Sequence, residues 1–365
     1  MSAPLRWLWI LAIFVGEWGH FAAVGSLLVA GFSLSRGGRI GFAAAALSGA
    51  AAVVYIIPSV MAAAIAKSLP ARCTAAFGER ADAGRVAAFS WVDLFCGVPV
   101  SAVDVTEHVY ATNGTKQLKL DLYQSGQTRP LQPLIVMIHG GSWNSGNKNQ
   151  LPALNRYLAG EGYAVASIGY RHAPKFHFPA PLDDVFSAVE FLRRNAAQLQ
   201  IDADRVVLIG RSAGGQLALS AAYAGREPAI RGVIAFYAPT DLTLGYDKPS
   251  RRGVLNSRKA LEDYIGGIPL NRPAEYAAAS PNAAVTRATP PTLLIHGGLD
   301  PIVWPHHSER LSASLERAER PHLYMALPWA THGCDANFSG PSSQLSLYAI
   351  DRFLANVFST QPPHR

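Results

Sequence analysis

The chain has 365 residues, of which 49% are hydrophobic and only 16% are charged, and its formal net charge is +7. Soluble domains usually carry about 25% charged residues, so the composition does not suit a chain that is soluble throughout, and most of the deficit lies in the first hundred residues. The remaining chain has no clustered run of Lys or Arg, so nucleic acid is not expected as a partner. The length suits one large α/β domain plus an extra segment.

Two long apolar stretches open the chain. Residues 7–34 contain only Glu17 and His20 as ionisable groups, and residues 40–66 contain no Asp, Glu, Lys, Arg or His. About 20 apolar residues span a bilayer, so both stretches are long enough, and the small residues of the second suit close helix packing. With the short turn between them they predict a membrane-anchoring helical hairpin over residues 1–70, which makes a lipid membrane an expected partner.

The first stretch has an alternative interpretation, because Arg6 followed by an apolar run is also typical of a secretory signal peptide. Glu17 and His20 are three residues apart and share a helical face, so we expect them to pair with each other or to face the second helix. Residues 71–102 are predicted to be a linker or an amphipathic segment lying on the membrane.

Basic residues at the ends of the hairpin outnumber those in its turn. They are Arg6, Lys67, Arg72, Arg80 and Arg85, against Arg36 and Arg39. We expect the protein to lie in the bacterial inner membrane, and the positive-inside rule favours a larger domain in the cytoplasm. If the first stretch were cleaved or did not span, that domain would be external and Cys73 and Cys96 could pair there. Three free thiols, with Cys334, are the equal alternative.

From about residue 103, apolar runs of strand length alternate with helical ones, which predicts an α/β domain over residues 103–358 with a mostly parallel sheet flanked by helices, and a tail at 359–365. The predicted strands are Glu107–Thr112, Leu118–Tyr123, Leu134–Ile138, Ala164–Ile168, Val206–Ile209, Val233–Phe236, Thr292–Ile295 and Leu323–Ala326. The predicted helices are Leu182–Gln198, Ala213–Tyr223, His307–Ala318 and Gln344–Val357. The stretch Leu242–Arg287 breaks the alternation and is predicted to be an insertion that overhangs a site.

One glycine-rich turn has the context of a nucleophile elbow. Residues 210–214 read Gly-Arg-Ser-Ala-Gly, with an apolar strand before them and a helical pattern after them. A G-x-S-x-G match is weak by itself, but between a strand and a helix it is strong. Such a turn exposes the hydroxyl of its serine, so Ser212 is the candidate nucleophile.

A serine hydroxyl needs a base and a group that orients the base. In proteins with this elbow the chain order is Ser, then Asp or Glu, then His. Asp300 and His332 each follow a predicted strand, which places both at the carboxyl edge of the sheet, and they complete the candidate triad.

Other candidates for the base and its orienting acid fit less well. His296 is expected to end its strand and hold the loop, His306 and His307 to open a helix at the surface, and Asp335 to share the loop of His332.

The loop after the strand Leu134–Ile138 supplies a candidate oxyanion hole. Its residues 139–142 read His-Gly-Gly-Ser, and the backbone amides of such a loop join the amide after the nucleophile in binding the oxyanion. We expect the amides of Gly141, Ser142 and Ala213 to act as donors, with Gly140 as the alternative within the loop.

Together these motifs resemble the hormone-sensitive-lipase-like and feruloyl-esterase-like branches of the α/β-hydrolase carboxylesterases. Residues 170–174, 178–185 and 237–242 are similar to further segments of that family. The resemblance covers roughly residues 103–358 and implies the α/β-hydrolase fold, the triad and esterase activity on acyl esters.

Two residues depart from the lipase-like branch. Arg211 stands where that branch usually has an acidic residue, and Ser142 where it often has a third glycine. Both are more similar to neighbouring branches, which include feruloyl-type esterases, prenylcysteine methylesterases and aryl formamidases.

The expected function is a serine carboxylesterase that hydrolyses short- to medium-chain acyl esters through an acyl-enzyme intermediate. The insertion is short for a full lipase lid, and Trp143 offers an aromatic wall near the site. The alternatives are a lipase, a hydrolase of the aryl formamidase or prenylcysteine methylesterase type, and an inactive membrane scaffold, against which the intact motifs argue. The chemistry needs no metal, nucleotide or redox cofactor, and neither G-x-G-x-x-G nor H-E-x-x-H occurs. The expected partners are therefore a small-molecule ester and the membrane.

Overall fold

A single eight-stranded sheet organises most of the computed structural model, which describes residues 3–79, 85, 87–114, 116–126 and 131–359. The strands are β1 (Asp104–Asn113), β2 (Lys116–Gln124), β3 (Gln132–Ile138), β4 (Ala164–Ile168), β5 (Ile201–Arg211), β6 (Ile230–Phe236), β7 (Thr292–Gly297) and β8 (His322–Leu327). Their order in the sheet is β1-β2-β4-β3-β5-β6-β7-β8. β2 pairs antiparallel with β1 and β4, and the other neighbours are parallel.

Helices precede the sheet and connect its strands. They are α1 (Arg6–Arg36), α2 (Gly38–Phe77), α3 (Trp91–Cys96), α4 (Pro152–Gly160), α5 (Ala180–Arg194), α6 (Ala196–Leu199), α7 (Ala213–Tyr223), α8 (Leu242–Asp247), α9 (Ser257–Ile265), α10 (Pro273–Ala278), α11 (His306–Arg317) and α12 (Pro341–Ser359). A short 3-10 helix covers Pro281–Ala284.

The predicted fold class and all eight predicted strands are confirmed. Observed strands are longer than predicted because polar residues at their ends still join the ladder; β5, for example, begins at Ile201 rather than Val206. The helix predicted over Leu182–Gln198 is divided at Asn195 into α5 and α6. Helix α4 and the short helices of the insertion were not predicted, because each is too brief to show a clear apolar period.

Successive residues of the central strand β3 face two different helical layers, as expected for a parallel strand buried on both sides. Leu134 and Val136 lie in one hydrophobic cluster with Leu217 of α7. Ile135 lies in a second cluster with Ile350 of α12. Because both faces of the sheet are covered, the carboxyl edge of its parallel strands is the natural place for a polar site.

The inner part of the hairpin formed by α1 and α2 is packed on this domain. Leu69 of α2 is buried in the second cluster. Glu17 of α1 is buried, and its carboxylate accepts hydrogen bonds from Ser342 Oγ at 2.6 Å and Ser342 N at 3.3 Å. The hydroxyl and the amide of Ser342, at the start of α12, therefore hold the Glu17 carboxyl group in place. An added Cβ at Gly340 would lie 2.4 Å from Glu17 Oε2, so a side chain there would push the Glu17 carboxyl group out of this position.

The expected environment of Glu17 is therefore wrong. Its carboxylate binds α12 rather than His20 or α2. The close contact of α1 with α2 occurs at Gly19, where an added Cβ would lie 2.5 Å from Tyr55 O. The ring of His20 packs against Phe95, with ring centroids 5.1 Å apart. The sequence pattern could not show that a distant helix supplies the partner of Glu17.

The outer part of the hairpin projects its apolar side chains outward. Exposed large side chains occur along both helices, among them Leu28, Phe32, Ile40, Leu47 and Val53. By length and composition, α1 and α2 could each cross a membrane. One or two such helices are by themselves weak evidence of a membrane span. Helix α2 continues beyond residue 70 to Phe77.

The segment after the hairpin contains the short helix α3, whose first turn is capped by Ser90 Oγ accepting from Asp93 N. Residues 80–84 and 86 of the predicted linker, including Arg80, and residues 360–365 of the predicted tail lie outside the described residues. Cys73, Cys96 and Cys334 are all free thiols, so Cys73 and Cys96 form no disulfide in this structure.

The docking of α1 predicts a stability effect. Glu17→Ala leaves the Ser342 hydroxyl and the amino terminus of α12 without their acceptor, which costs about 1–3 kcal/mol for a buried group. Thermal unfolding of the full chain in detergent should therefore occur several degrees lower in the variant. Leu28→Ala, at an exposed position of the same helix, serves as the control and should leave the midpoint unchanged. Equal midpoints for Glu17→Ala and wild type would contradict the docking.

Candidate active site

Ser212 joins β5 to α7 in a strained backbone conformation, with φ 53° and ψ −119°. A non-glycine residue adopts this region only where its surroundings hold it. A Cβ added at Gly210 would lie 2.1 Å from Gly214 O. A Cβ added at Gly214 would lie 2.3 Å from His139 O. The two glycines therefore allow β5, α7 and the loop after β3 to meet, and the turn presents the Ser212 hydroxyl at the sheet edge.

Three predicted site residues meet at this edge. His332 Nε2 lies 3.0 Å from Ser212 Oγ, and His332 Nδ1 lies 2.7 Å from Asp300 Oδ2. Asp300 follows β7 and His332 follows β8, so two adjacent parallel strands deliver them to the same place. With Asp300 accepting from Nδ1, the imidazole presents Nε2 to the serine hydroxyl as an acceptor. The arrangement has the geometry of a Ser-His-Asp triad.

Asp300 is fully buried and held on both oxygens. Its Oδ1 accepts from the amides of Ile302 at 2.8 Å and Val303 at 2.9 Å. His296 Nε2 lies 3.3 Å from its Oδ2, opposite His332. Burial by itself raises the pKa of Asp300, but the two histidines overcome it and lower this pKa to about 2. Asp300 is therefore ionised and rigidly placed at neutral pH.

The other candidate histidines take structural positions. His296 bonds to Ser308 Oγ and to the Val303 carbonyl, so it holds the loop after β7 as expected. His307 is buried, which corrects the expectation that it lies at the surface. It accepts from Thr240 N at 3.2 Å, and burial lowers its pKa to about 3. The sequence missed this because the insertion covers the start of α11.

Asp335 does not compete for the imidazole, because other groups hold it. Its carboxylate pairs with the buried Arg211 guanidinium and accepts from the Tyr237 hydroxyl. The ring of Tyr237 lies 4.4 Å from that of His332 between centroids. Arg211 of the elbow thus braces the loop that carries His332, a role that its position in the sequence did not suggest.

The loop after β3 places backbone amides beside Ser212. Gly141, Ser142 and Trp143 all have positive φ, at 127°, 52° and 61°. The Gly140 amide already donates to Gln150 Oε1 at 2.7 Å, so the alternative donor of the loop is occupied. Within the described residues, the amides of Gly141, Ser142 and Ala213 have no protein acceptor. Three of the four candidate donors are therefore available.

Two cavities adjoin Ser212. The smaller, of about 40 Å³, lies between the oxyanion loop and the insertion and is lined by Ser142, Trp143, Leu242, Leu261 and His307, among others. Trp143 is fixed there by stacking on Tyr264, with ring centroids 4.4 Å apart. The insertion therefore overhangs the site, as predicted.

The larger cavity has a volume of about 470 Å³ and lies beside His332. Part of its wall comes from α1, through Arg6, Trp9 and Ile13. Trp9 Nε1 donates to the His332 carbonyl at 2.9 Å. The sequence did not predict these residues, because nothing in an apolar amino-terminal stretch indicates that it packs against a site more than three hundred residues away.

The sheet order, the elbow and the meeting of Ser212, His332 and Asp300 define a protein of the α/β-hydrolase class. The chain belongs to the BD-FAE family, whose model matches residues 120–315. This matched region contains Ser212, Asp300 and the oxyanion loop, whereas His332 follows it. The resemblance to α/β-hydrolase carboxylesterases is confirmed.

Two relatives from Mycobacterium tuberculosis are named as esterases. The chain is 29% identical over 243 residues to esterase LipC of Mycobacterium tuberculosis, covering 63% of this chain and 59% of LipC. It is 27% identical over 277 residues to esterase LipQ of the same organism, covering 70% of this chain and 63% of LipQ. The chain thus spans less than two thirds of the length of these relatives.

Solved structures share the fold. A bacterial heroin esterase matches with a TM-score of 0.61 and 23% identity, covering 70% of this chain and 84% of that one. A thermophilic esterase from Thermogutta terrifontis matches with a TM-score of 0.57 and 24% identity, covering 72% and 96%. At this level of identity the likeness shows the fold alone.

The environment of Asp300 predicts a pH dependence of stability. An unfolded aspartate has a pKa of about 3.9, above the folded value of about 2. The lowered pKa therefore stabilises the fold above about pH 4, and this contribution is lost as the pH falls through about 2. The free energies of unfolding of wild type and Asp300→Asn should converge by on the order of 2 kcal/mol between about pH 5 and about pH 2.

Denaturant unfolding in detergent across this pH range measures the convergence. Asp247→Asn, which removes an exposed carboxylate from the insertion, is the matched control. A gap between wild type and Asp300→Asn that stays constant with pH would contradict the account of Asp300.

Proposed function

We propose that this protein is a membrane-anchored serine carboxylesterase that hydrolyses esters of short- to medium-chain acids through an acyl-enzyme intermediate. The observation that carries the proposal is the contact of His332 Nε2 with Ser212 Oγ at 3.0 Å, while Asp300 holds the opposite ring nitrogen at 2.7 Å. The family and the esterase relatives support the same class of reaction.

In the first half of the reaction, Ser212 Oγ attacks the ester carbonyl carbon while His332 Nε2 accepts the hydroxyl proton. The carbonyl oxygen becomes an oxyanion, and the amides of Gly141, Ser142 and Ala213 donate to it. Asp300 remains ionised and stabilises the imidazolium that forms.

The intermediate then collapses. The carbon–oxygen bond to the alcohol breaks, and His332 Nε2 returns its proton to the leaving oxygen, which leaves the acyl group on Ser212. In the second half a water molecule attacks the acyl carbon, His332 takes a proton from it, and the acid departs as Ser212 regains its proton. No residue is changed over the whole cycle.

The small cavity supports the preference for short acyl groups. It measures about 40 Å³, and Trp143 and side chains of the insertion line it. One water-sized sphere occupies about 10–15 Å³ on this scale, so the cavity holds only a few carbon atoms. Medium chains require a small displacement of the insertion.

The hairpin supports attachment to a membrane. Its outer part exposes large apolar side chains along both helices, and hydrophobic patches of this extent mark an interaction surface. By length and composition both helices could span. Because α1 is packed on the catalytic domain as far as Glu17, the part of α1 that enters the bilayer is the part after this residue. We place the protein in the bacterial inner membrane, and the distribution of basic residues favours the cytoplasmic side for its catalytic domain.

The assignment of the nucleophile predicts the effect of Ser212→Ala. Removing the attacking oxygen should lower kcat for p-nitrophenyl butyrate by roughly 10⁶-fold, or below detection. The loss of one hydroxyl should leave the circular dichroism spectrum and thermal midpoint close to those of wild type. A correctly folded variant that keeps its turnover would refute Ser212 as nucleophile.

The size of the acyl cavity predicts chain-length selectivity. Across p-nitrophenyl esters from acetate to palmitate, kcat/KM should be highest for the short to medium chains, because a longer chain overfills the space beside Trp143. Faster turnover of emulsified long-chain triacylglycerol than of soluble short esters would instead indicate a lipase.

The membrane anchor predicts the behaviour of the full chain in cells. It should remain in the membrane pellet after carbonate extraction, since the apolar surface of the hairpin is unfavourable in water. Release into the supernatant would refute the anchor.

The cytoplasmic orientation predicts that protease added to spheroplasts spares the catalytic domain. Digestion of that domain would show that it lies on the outside.

A further inference from the structure

The two cavities beside Ser212 differ in their relation to His332. His332 and Gly333 line the large cavity, whereas Trp143 lines the small one. Both cavities share Ser142, Leu255 and Ile302 in their walls. In ester hydrolysis the leaving oxygen receives its proton from His332 Nε2, so the alcohol must occupy the cavity that contains this imidazole. The small cavity is then left for the acyl group.

Helix α1 closes the alcohol side. Trp9 Nε1 donates to the His332 carbonyl at 2.9 Å, and an added Cβ at Gly333 would lie 3.6 Å from Ile13 Cδ1. Arg6 N donates to the Gly253 carbonyl at 2.8 Å, which ties the start of the helix to the insertion. The first turns of α1 are therefore a fixed part of the cavity rather than a separate anchor.

The same helix leads away from the cavity with apolar side chains exposed. Phe14, Phe21 and Val24 follow Ile13 along α1, and all three are exposed. At about 1.5 Å of rise per residue, this path is roughly 16 Å long between Ile13 and Val24. Glu17 and His20 lie on the same stripe of α1 as Ile13 and Val24, but both are buried against other parts of the protein. An apolar chain held in the large cavity can therefore continue towards the outer hairpin beside Phe14 and Phe21, which are exposed.

We propose that the substrate is an ester of a short acid with a long apolar alcohol that resides in the bilayer, and that α1 is the wall that selects this alcohol. The inference rests on the proposed esterase function and adds its substrate class. The acyl group enters the cavity of about 40 Å³, and the alcohol enters the cavity of about 470 Å³ beside α1. Trp9 and Ile13 both contact the loop of His332 and line this cavity. Ile13 is the specificity-determining residue to test, since its apolar side chain, unlike that of Trp9, makes no hydrogen bond that a substitution would break.

Two isomeric esters separate this arrangement from its reverse. Decyl acetate and ethyl decanoate have the same atoms and similar hydrophobicity, but the long chain is on the alcohol in the first and on the acid in the second. With the full chain in proteoliposomes, kcat/KM for decyl acetate should exceed that for ethyl decanoate by at least about tenfold, the scale of discrimination that a misfitted apolar group produces. Equal values, or a preference for ethyl decanoate, would overturn the inference.

A matched pair of variants tests the wall itself. Ile13→Trp fills the alcohol cavity and should lower the ratio of kcat/KM for decyl acetate to that for ethyl acetate by about tenfold. Ile10→Trp makes the same change at an exposed position of the same helix and should leave the ratio as in wild type. An unchanged ratio in Ile13→Trp, or an equal fall in both variants, would exclude a selective role for this face of α1.

Failure of the inference and failure of the proposed function give different results. If ethyl acetate and p-nitrophenyl acetate are hydrolysed by wild type without any preference for decyl acetate over ethyl decanoate, the esterase function stands and only the assignment of the cavities falls. If no ester is hydrolysed by the correctly folded full chain, the proposed function itself falls, and the inference falls with it.

Discussion

The positive φ of Ser212 is possible because two glycines let backbone meet backbone around it. With φ 53°, the residue is held where β5 ends and α7 begins, and Gly210 and Gly214 leave no room for a Cβ on either side. The strain of this turn is balanced by the packing of β5 between β3 and β6. Every other feature of the site is positioned relative to the hydroxyl that the turn exposes.

Parallel strands bring distant residues to this hydroxyl. Asp300 and His332 are 32 residues apart in the chain, and His332 and Ser212 are 120 apart, yet their side chains form one hydrogen-bonded series. Two amides and a second histidine hold the Asp300 carboxylate, and the pair of Arg211 with Asp335 braces the loop of His332 from the other side. The His332 imidazole is therefore held in its orientation by Asp300 on one side and by the pair of Arg211 with Asp335 on the other.

The sequence predicted most of this arrangement because its signals are local. A strand, a G-x-S-x-G turn and a helix follow one another at Ser212, and Asp300 and His332 each follow an apolar run. What it did not predict depends on contacts between remote segments. Glu17 reads as a charge in a membrane helix, but its partner is Ser342. From the sequence, Trp9 and Ile13 were expected to lie in the bilayer. An apolar helix face that packs on protein has the same composition as one that faces lipid, so the sequence could not distinguish the two.

A covalent adduct tests the central claim most directly. An alkyl fluorophosphonate reacts with an activated serine hydroxyl, and digestion followed by mass spectrometry locates the modified residue in the wild-type chain. The account predicts one stoichiometric adduct on the peptide that contains Ser212, with loss of ester hydrolysis in parallel. An adduct on another serine, such as Ser142, with Ser212 unmodified and activity lost, would contradict it.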